Sequence, residues 1–196
     1  MPLLTDFLLW LDLETTGSDE SKDSIIEVGA ILTTPDLDDV AEYQSIVLPT
    51  DEALGRLLRN PVVKDMHRAN GLLDQLLMLE SGPKPHAVAT ELLGWLDERT
   101  VADDSIVLAG SGVGHFDRRF LERWMPQVAR RLRYWCIDVG VVRRAYAMWT
   151  DTAEVHPEHV PGKTHRALDD ARFHLEEARM WRRMWREAEA TMGERA

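Results

Sequence analysis

The chain has 196 residues and a formal net charge of −11, with 44% hydrophobic and 29% charged residues. That is an ordinary composition for one globular domain with a full core, and so acidic a balance argues against holding long duplex on a basic face. No apolar run approaches the ~20 residues of a membrane span, the N-terminus lacks the basic flank of a signal peptide, and the one cysteine, Cys136, excludes an internal disulfide and a Cys-rich zinc site, which favours the cytoplasm.

Taken in order, Phe7 to Leu11 is an apolar run that predicts a buried strand over residues 7–13. It carries Asp12 and Glu14, which share one side of the sheet because alternate strand residues point the same way. Thr15, Thr16 and Gly17 end it. Two such acids repel unless a cation joins them, and their oxygens suit Mg²⁺ or Mn²⁺. Residues 25–33 predict a second strand, and Val40 to Leu48 a third. The short turn between them, Pro35 to Asp39, makes the pair an antiparallel hairpin.

Asn60-Pro61 predicts a helix start, and Asn70-Gly71 its stop just beyond His67. Leu72 to Leu79 reads as a further helix, as does the stretch up to Glu98 that carries Val88, Leu92, Leu93 and Leu96. Ile106 to Gly110 is a fourth strand, residues 117–124 a helix, and Arg133 to Asp138 a fifth strand. A helix through Val142, Ala145 and Trp149 follows, then a loop over 151–163, then a last helix over about 166–190. This order predicts an α/β fold, with a mixed five-stranded sheet flanked by helices in a single domain over 1–196.

Two further clusters carry chemistry. Asp117 follows the fourth strand after Gly112 and Gly114, which would let backbone come close to a ligand; taken alone, Asp117 reads more readily as a helix cap. His165 and Asp170 open the last helix, where Asp169 complements the helix dipole. Alone, His165 reads as an exposed loop histidine, and His156, His159 and His165 match no common zinc spacing. The arginines at 118–119, 130–133 and 143–144 read either as solvated faces or as contacts to an anionic partner.

Together these segments resemble the DEDDh exonuclease family. The resemblance is carried by Trp10-Leu-Asp12-Leu-Glu14-Thr-Thr-Gly17, Ile25-Ile26-Glu27-Val28, Met66-His67-Arg-Ala-Asn70-Gly71-Leu72, Asp117-Arg-Arg-Phe-Leu121 and Thr164-His165-Arg-Ala-Leu-Asp-Asp170, from about Leu8 to Trp181. Within the family the chain looks most like oligoribonucleases. The resemblance implies a ribonuclease H-like fold and a 3′-to-5′ exonuclease that releases nucleoside 5′-monophosphates from short single-stranded RNA or DNA with a free 3′ end. It implies Asp12, Glu14, Asp117 and Asp170 as ligands of two divalent ions, Mg²⁺ or Mn²⁺, and His165 as general base. It places Leu13, Thr15, Gly17, His67, His115 and Phe116 against the substrate, although His67 alone reads equally as an exposed helix histidine. It also implies a homodimer; Trp124, Trp135, Trp149, Trp181 and Trp185 could line such an interface, with core packing the usual role of tryptophan.

The chain departs from the oligoribonuclease pattern at the base-stacking positions, now Ser18 and Val62, and after the fifth strand, now Gly140, Val141 and Val142. With no side-chain cap on a 5′ phosphate, longer strands should run out past Arg133 or Arg143. The alternatives are a proofreading or trimming exonuclease for DNA ends, and a non-catalytic nucleic-acid-binding module on the same fold.

Overall fold

The computed structural model describes residues 5–157 and 163–193. Its centre is a five-stranded sheet made of β1 (Phe7–Thr15), β2 (Ile25–Thr33), β3 (Asp39–Ile46), β4 (Ile106–Gly110) and β5 (Leu132–Asp138). The spatial order is β3-β2-β1-β4-β5; the pairs among the first three are antiparallel, and β4 and β5 continue in parallel from β1. This is the mixed sheet expected from the sequence.

The helices are α1 (Asp51–Arg59), α2 (Pro61–Ala69), α3 (Leu72–Met78), α4 (Pro85–Asp97), α5 (Asp117–Trp124), α6 (Pro126–Ala129), α7 (Val139–Thr150) and α8 (Ala167–Gly193). Asn60 caps α2 through its side chain, Pro61 takes the first helical position, and Gly71 adopts φ 79° after the stop, so the local signals act as read. Among the described residues no helix is long and apolar enough to cross a membrane.

The alternation of β1 splits the core. Leu9, Leu11 and Leu13 face one layer with Val88 and Leu92 of α4 and Phe120 and Leu121 of α5. Leu8 and Trp10 face the other, with Leu168, Ala171 and Leu175 of α8. Asp12 and Glu14 continue the second set, so both carboxylates look toward the α8 side. On β2 the residues opposite them in register are Gly29 and Glu27.

Several expectations are corrected. β3 stops at Ile46 because Leu48 N–H turns to the Pro83 carbonyl. Helix α6 has no counterpart in the sequence reading. Arg143 is no route for a strand: it is buried, and it bonds Glu177 at 2.7 Å and Glu154 at 2.7 Å. Gly114 serves packing, since a Cβ there would meet Cys136 Sγ at 2.8 Å. Trp181 is core, whereas Trp149 and Trp185 are exposed. His159 lies outside the described residues, and His156 sits by Phe173 and Glu154.

Candidate active site

β1 runs past the end of β4, and the chain after Gly110 turns away through Ser111 to Asp117. Parallel strands that diverge leave a crevice at their carboxyl ends, and the cleft lies there. Its volume is about 320 Å³, and Asp12, Leu13, Glu14, Thr15, Gly17, Phe116, Asp117, His165 and Asp170 all line it. The four acids therefore come from β1, α5 and α8.

Each acid is held differently. Asp117 does not cap its own helix; its Oδ1 accepts the Leu13 N–H at 3.0 Å, tying α5 to the strand between Asp12 and Glu14. Asp170 Oδ1 accepts the Thr164 N–H at 2.8 Å and so shapes the turn that carries His165. His165 adopts φ 55°, a left-handed conformation uncommon for a residue with a side chain. Its carbonyl accepts a hydrogen bond from the Asn70 side chain at the end of α2. An imidazole nitrogen of His165 and carboxylate oxygens of Glu14 and Asp170 lie within 4.8 Å of one another.

Glycine and a buried ion pair bring α8 this close. A Cβ on Gly29 would sit 2.2 Å from backbone atoms of Ala167 and Leu168, so only glycine lets α8 begin directly on the sheet. Beside it the buried Glu27 accepts from the Arg166 guanidinium at 2.8 Å and from the Ala167 N–H at 3.0 Å. A carboxylate on that N–H also suits the helix dipole. Glu27, Gly29 and Asn70 are the residues the sequence reading passed over as functional parts. The one signal was that Glu27 and Asn70 lie inside the matched segments, with Gly29 just after one.

The electrostatics describe a site short of positive charge. Burial, then repulsion from Asp117 and Glu14, raises Asp12 well above the usual carboxylate range. Burial and Asp170 push Glu14 up to about 9, burial pushes Asp117 up to about 7, and burial raises Asp170. Among the described residues lining the cleft, Lys163 is the one cation. A cluster of hard oxygen donors that holds protons it would ordinarily lose fits divalent cations.

Of the expected substrate contacts, Leu13, Thr15, Gly17 and Phe116 line the cleft. His115 is exposed and stands outside that lining, over Gly112. His67 is neither an exposed helix histidine nor a wall of the cleft. It is fully buried, with Nε2 donating to the Thr15 carbonyl at 3.0 Å and Nδ1 3.8 Å from Glu14 Oε2. Burial lowers its pKa, so the ring stays neutral and braces the end of β1.

Residues 9–178 match the protein family described as Exonuclease. With this fold and four acids beside one histidine, the chain belongs to the DEDDh exonuclease family and is a 3′-to-5′ exonuclease, a hydrolase of phosphodiester bonds. Within it the chain is similar to oligoribonucleases. It is 34% identical over 180 residues to that of Streptomyces avermitilis, covering 91% of this chain and 86% of the relative. It is 32% identical over 182 residues to that of Coxiella burnetii, covering 93% and 96%. Among solved structures, the nuclease domain of 3′hExo, a DEDDh family member bound to rAMP, aligns with TM-score 0.60 at 18% identity over 93% of this chain and 94% of that one. The zinc-bound complex of Escherichia coli exonuclease I with ssDNA aligns with TM-score 0.60 at 18% identity over 89% of this chain, which spans 40% of that longer chain. At such identities these structures show the shared fold.

Proposed function

We propose that this protein is a metal-dependent exonuclease of the oligoribonuclease kind, hydrolysing short single-stranded RNA or DNA to nucleoside 5′-monophosphates. The observation that carries this reading is the convergence of Asp12, Glu14, Asp117 and Asp170 from three separate elements in one narrow cleft, with His165 at its mouth. At about 320 Å³ the cleft is at the small end of the roughly 300–1,000 Å³ typical of ligand pockets, and suits one nucleotide at a time.

Two divalent ions, Mg²⁺ or Mn²⁺, held by the four acids would activate the attacking water and steady the leaving 3′-oxygen. His165 takes the proton from the water: it is exposed and near Glu14 and Asp170, and imidazole is the commonest side-chain base for such a step. Leu13, Thr15 and Gly17 present the floor on which the terminal nucleotide rests, and Phe116 offers an aromatic face for a base. His67 keeps the Thr15 carbonyl and Glu14 in place from beneath.

The same reading takes residues 1–196 as one exonuclease domain, working in the cytoplasm and paired as a homodimer. The exposed Tyr134, Met148 and Trp149 on β5 and α7 are apolar surface available for such pairing.

The test is incubation with 3′-labelled and 5′-labelled RNA and DNA of two to twenty nucleotides, with Mg²⁺ or Mn²⁺, resolving products by length. Stepwise loss of 5′-monophosphates from the 3′ end, stopped by chelator, is expected. Internal cuts, or strand binding with no nucleotide released, would overturn the reading, and the second result would identify a binding module.

A further inference from the structure

Two grooves continue the catalytic cleft. The first shares Met66 and His165 with it and runs over Ala69, Asn70, Thr164 and Arg166. The Asn70–His165 hydrogen bond crosses that groove, and Arg166 is held by Glu27 and Gln75. The second shares Gly17, Ser18 and Asn60 with the cleft, runs over Thr16, Asp23, Arg56 and Arg59, and has a volume of about 320 Å³. Ser18 stands exposed at the junction, and so small a side chain leaves the way open.

The second groove is built for an anion. Arg56 is engaged by Asp23 at 3.3 Å and Glu52 at 2.9 Å. Arg59 is exposed and, among the described residues, makes no ion pair. Its guanidinium lies back over Gly55, where a Cβ would come within 3.3 Å of Nη1; the missing side chain gives it room beside the groove. Asp23 and Glu52 balance Arg56 and one further charge, so Arg59 is the cation of this wall that no carboxylate engages among the described residues.

We propose that Arg59, with Arg56 beside it, forms a subsite for an internal phosphodiester of the substrate strand, upstream of the bond being cut. The proposal rests on the exonuclease reading. An enzyme that holds a 3′ end in its cleft lets only the 5′-ward strand leave it, and the open groove leads past Ser18 to Arg59. A dinucleotide has one linkage, the scissile one, and leaves the subsite empty. Strands of three or more nucleotides fill it, so the subsite favours longer single strands and supplies a contact the side chains of Gly140, Val141 and Val142 cannot.

The test is kcat/KM on single strands of two, three, five and seven nucleotides for the wild type, Arg59→Ala, Arg59→Lys and Arg59→Glu, with anisotropy binding of a 5′-fluorescein heptamer in chelator as a second arm. The heptamer-to-dimer ratio should fall about tenfold in Arg59→Ala, further in Arg59→Glu, and little in Arg59→Lys. The salt dependence of heptamer binding should lose a slope of about 0.7, the value for one single-strand phosphate contact. An unchanged ratio in Arg59→Ala and Arg59→Glu, or an equal loss on dimer and heptamer, overturns the subsite. If the wild type releases no nucleotide, the exonuclease reading fails by itself. The anisotropy arm then still decides the subsite: weaker heptamer binding by Arg59→Ala supports it and equal binding overturns it.

Discussion

Asp117 opens α5 yet spends its carboxylate on a residue 104 positions away, accepting the Leu13 N–H at 3.0 Å. That bond separates its role from those of the other acids. Replacing any of Asp12, Glu14, Asp117 or Asp170 by Ala should remove most activity. Without metal, Asp12→Ala and Glu14→Ala should keep or raise stability, because they relieve crowded buried acids. Asp117→Ala should instead lose about 1–3 kcal/mol, since it strands a buried N–H, while Asp117→Asn keeps an acceptor and should be inactive but stable. Melting curves in chelator, beside activity assays, check this; equal stability of the Asp117 Ala and Asn variants would refute the bond's importance.

The raised pKa values fix the sign of the pH dependence. Glu14 titrates at about 9 when folded, and an ordinary Glu at about 4.3 when unfolded. Between those values the folded protein without metal binds more protons than the unfolded chain. Its stability should therefore be highest below about pH 4 as far as this group is concerned, and fall as pH rises toward 9. A bound cation removes the repulsion and displaces the protons. The Tm gain from Mg²⁺ should thus grow from pH 6 to pH 9, and calorimetry in buffers of different ionisation enthalpy should show proton release at pH 7.5. A metal-induced Tm gain that is flat with pH would contradict the assignment.

Gly29 and Glu27 set the seat of α8. Gly29→Ala drives a Cβ into the Ala167 backbone and should cost about 1–3 kcal/mol or more as the helix shifts. Arg166→Ala leaves Glu27 buried without its partner and should cost about 3 kcal/mol, the low end for a buried pair because Arg166 keeps some solvent contact. Both should lower kcat beyond their effect on folding, because His165 and Asp170 move with α8. Urea titrations and kcat at a temperature where both variants are folded separate the two effects; unaltered kcat would mean that the seat of α8 does not govern the site.

His165→Ala should reduce kcat by roughly 10²–10⁴, the range for a lost general base. Wild-type activity should decline at acid pH, and the variant should lack that limb. Its metal affinity should survive. Because the ring stands within ligand distance of Glu14 and Asp170, calorimetric metal titration is the decisive control. Loss of binding would make His165 a ligand rather than the base.

What the sequence determined by itself was local. The apolar run of β1 with Asp12 and Glu14 on one side, the Asn60-Pro61 start of α2 and the Gly71 stop are legible because capping, turn chemistry and strand alternation act within a few positions. The family resemblance added how those motifs combine, and it stands. Only the tertiary structure decided which side chains meet across the chain. His67 looked like an exposed helix residue or a substrate contact, and packing of α2 on the end of β1 buried it. Arg143 looked like a surface cation, and Glu177, 34 residues on, drew it inside. Asp117 looked like a cap until β1 offered an N–H. Gly29 carries no chemistry in the sequence, yet its missing side chain lets α8 reach Glu14. Such contacts depend on the distance between elements, which the burial of two hydrophobic layers sets and no short stretch of sequence encodes.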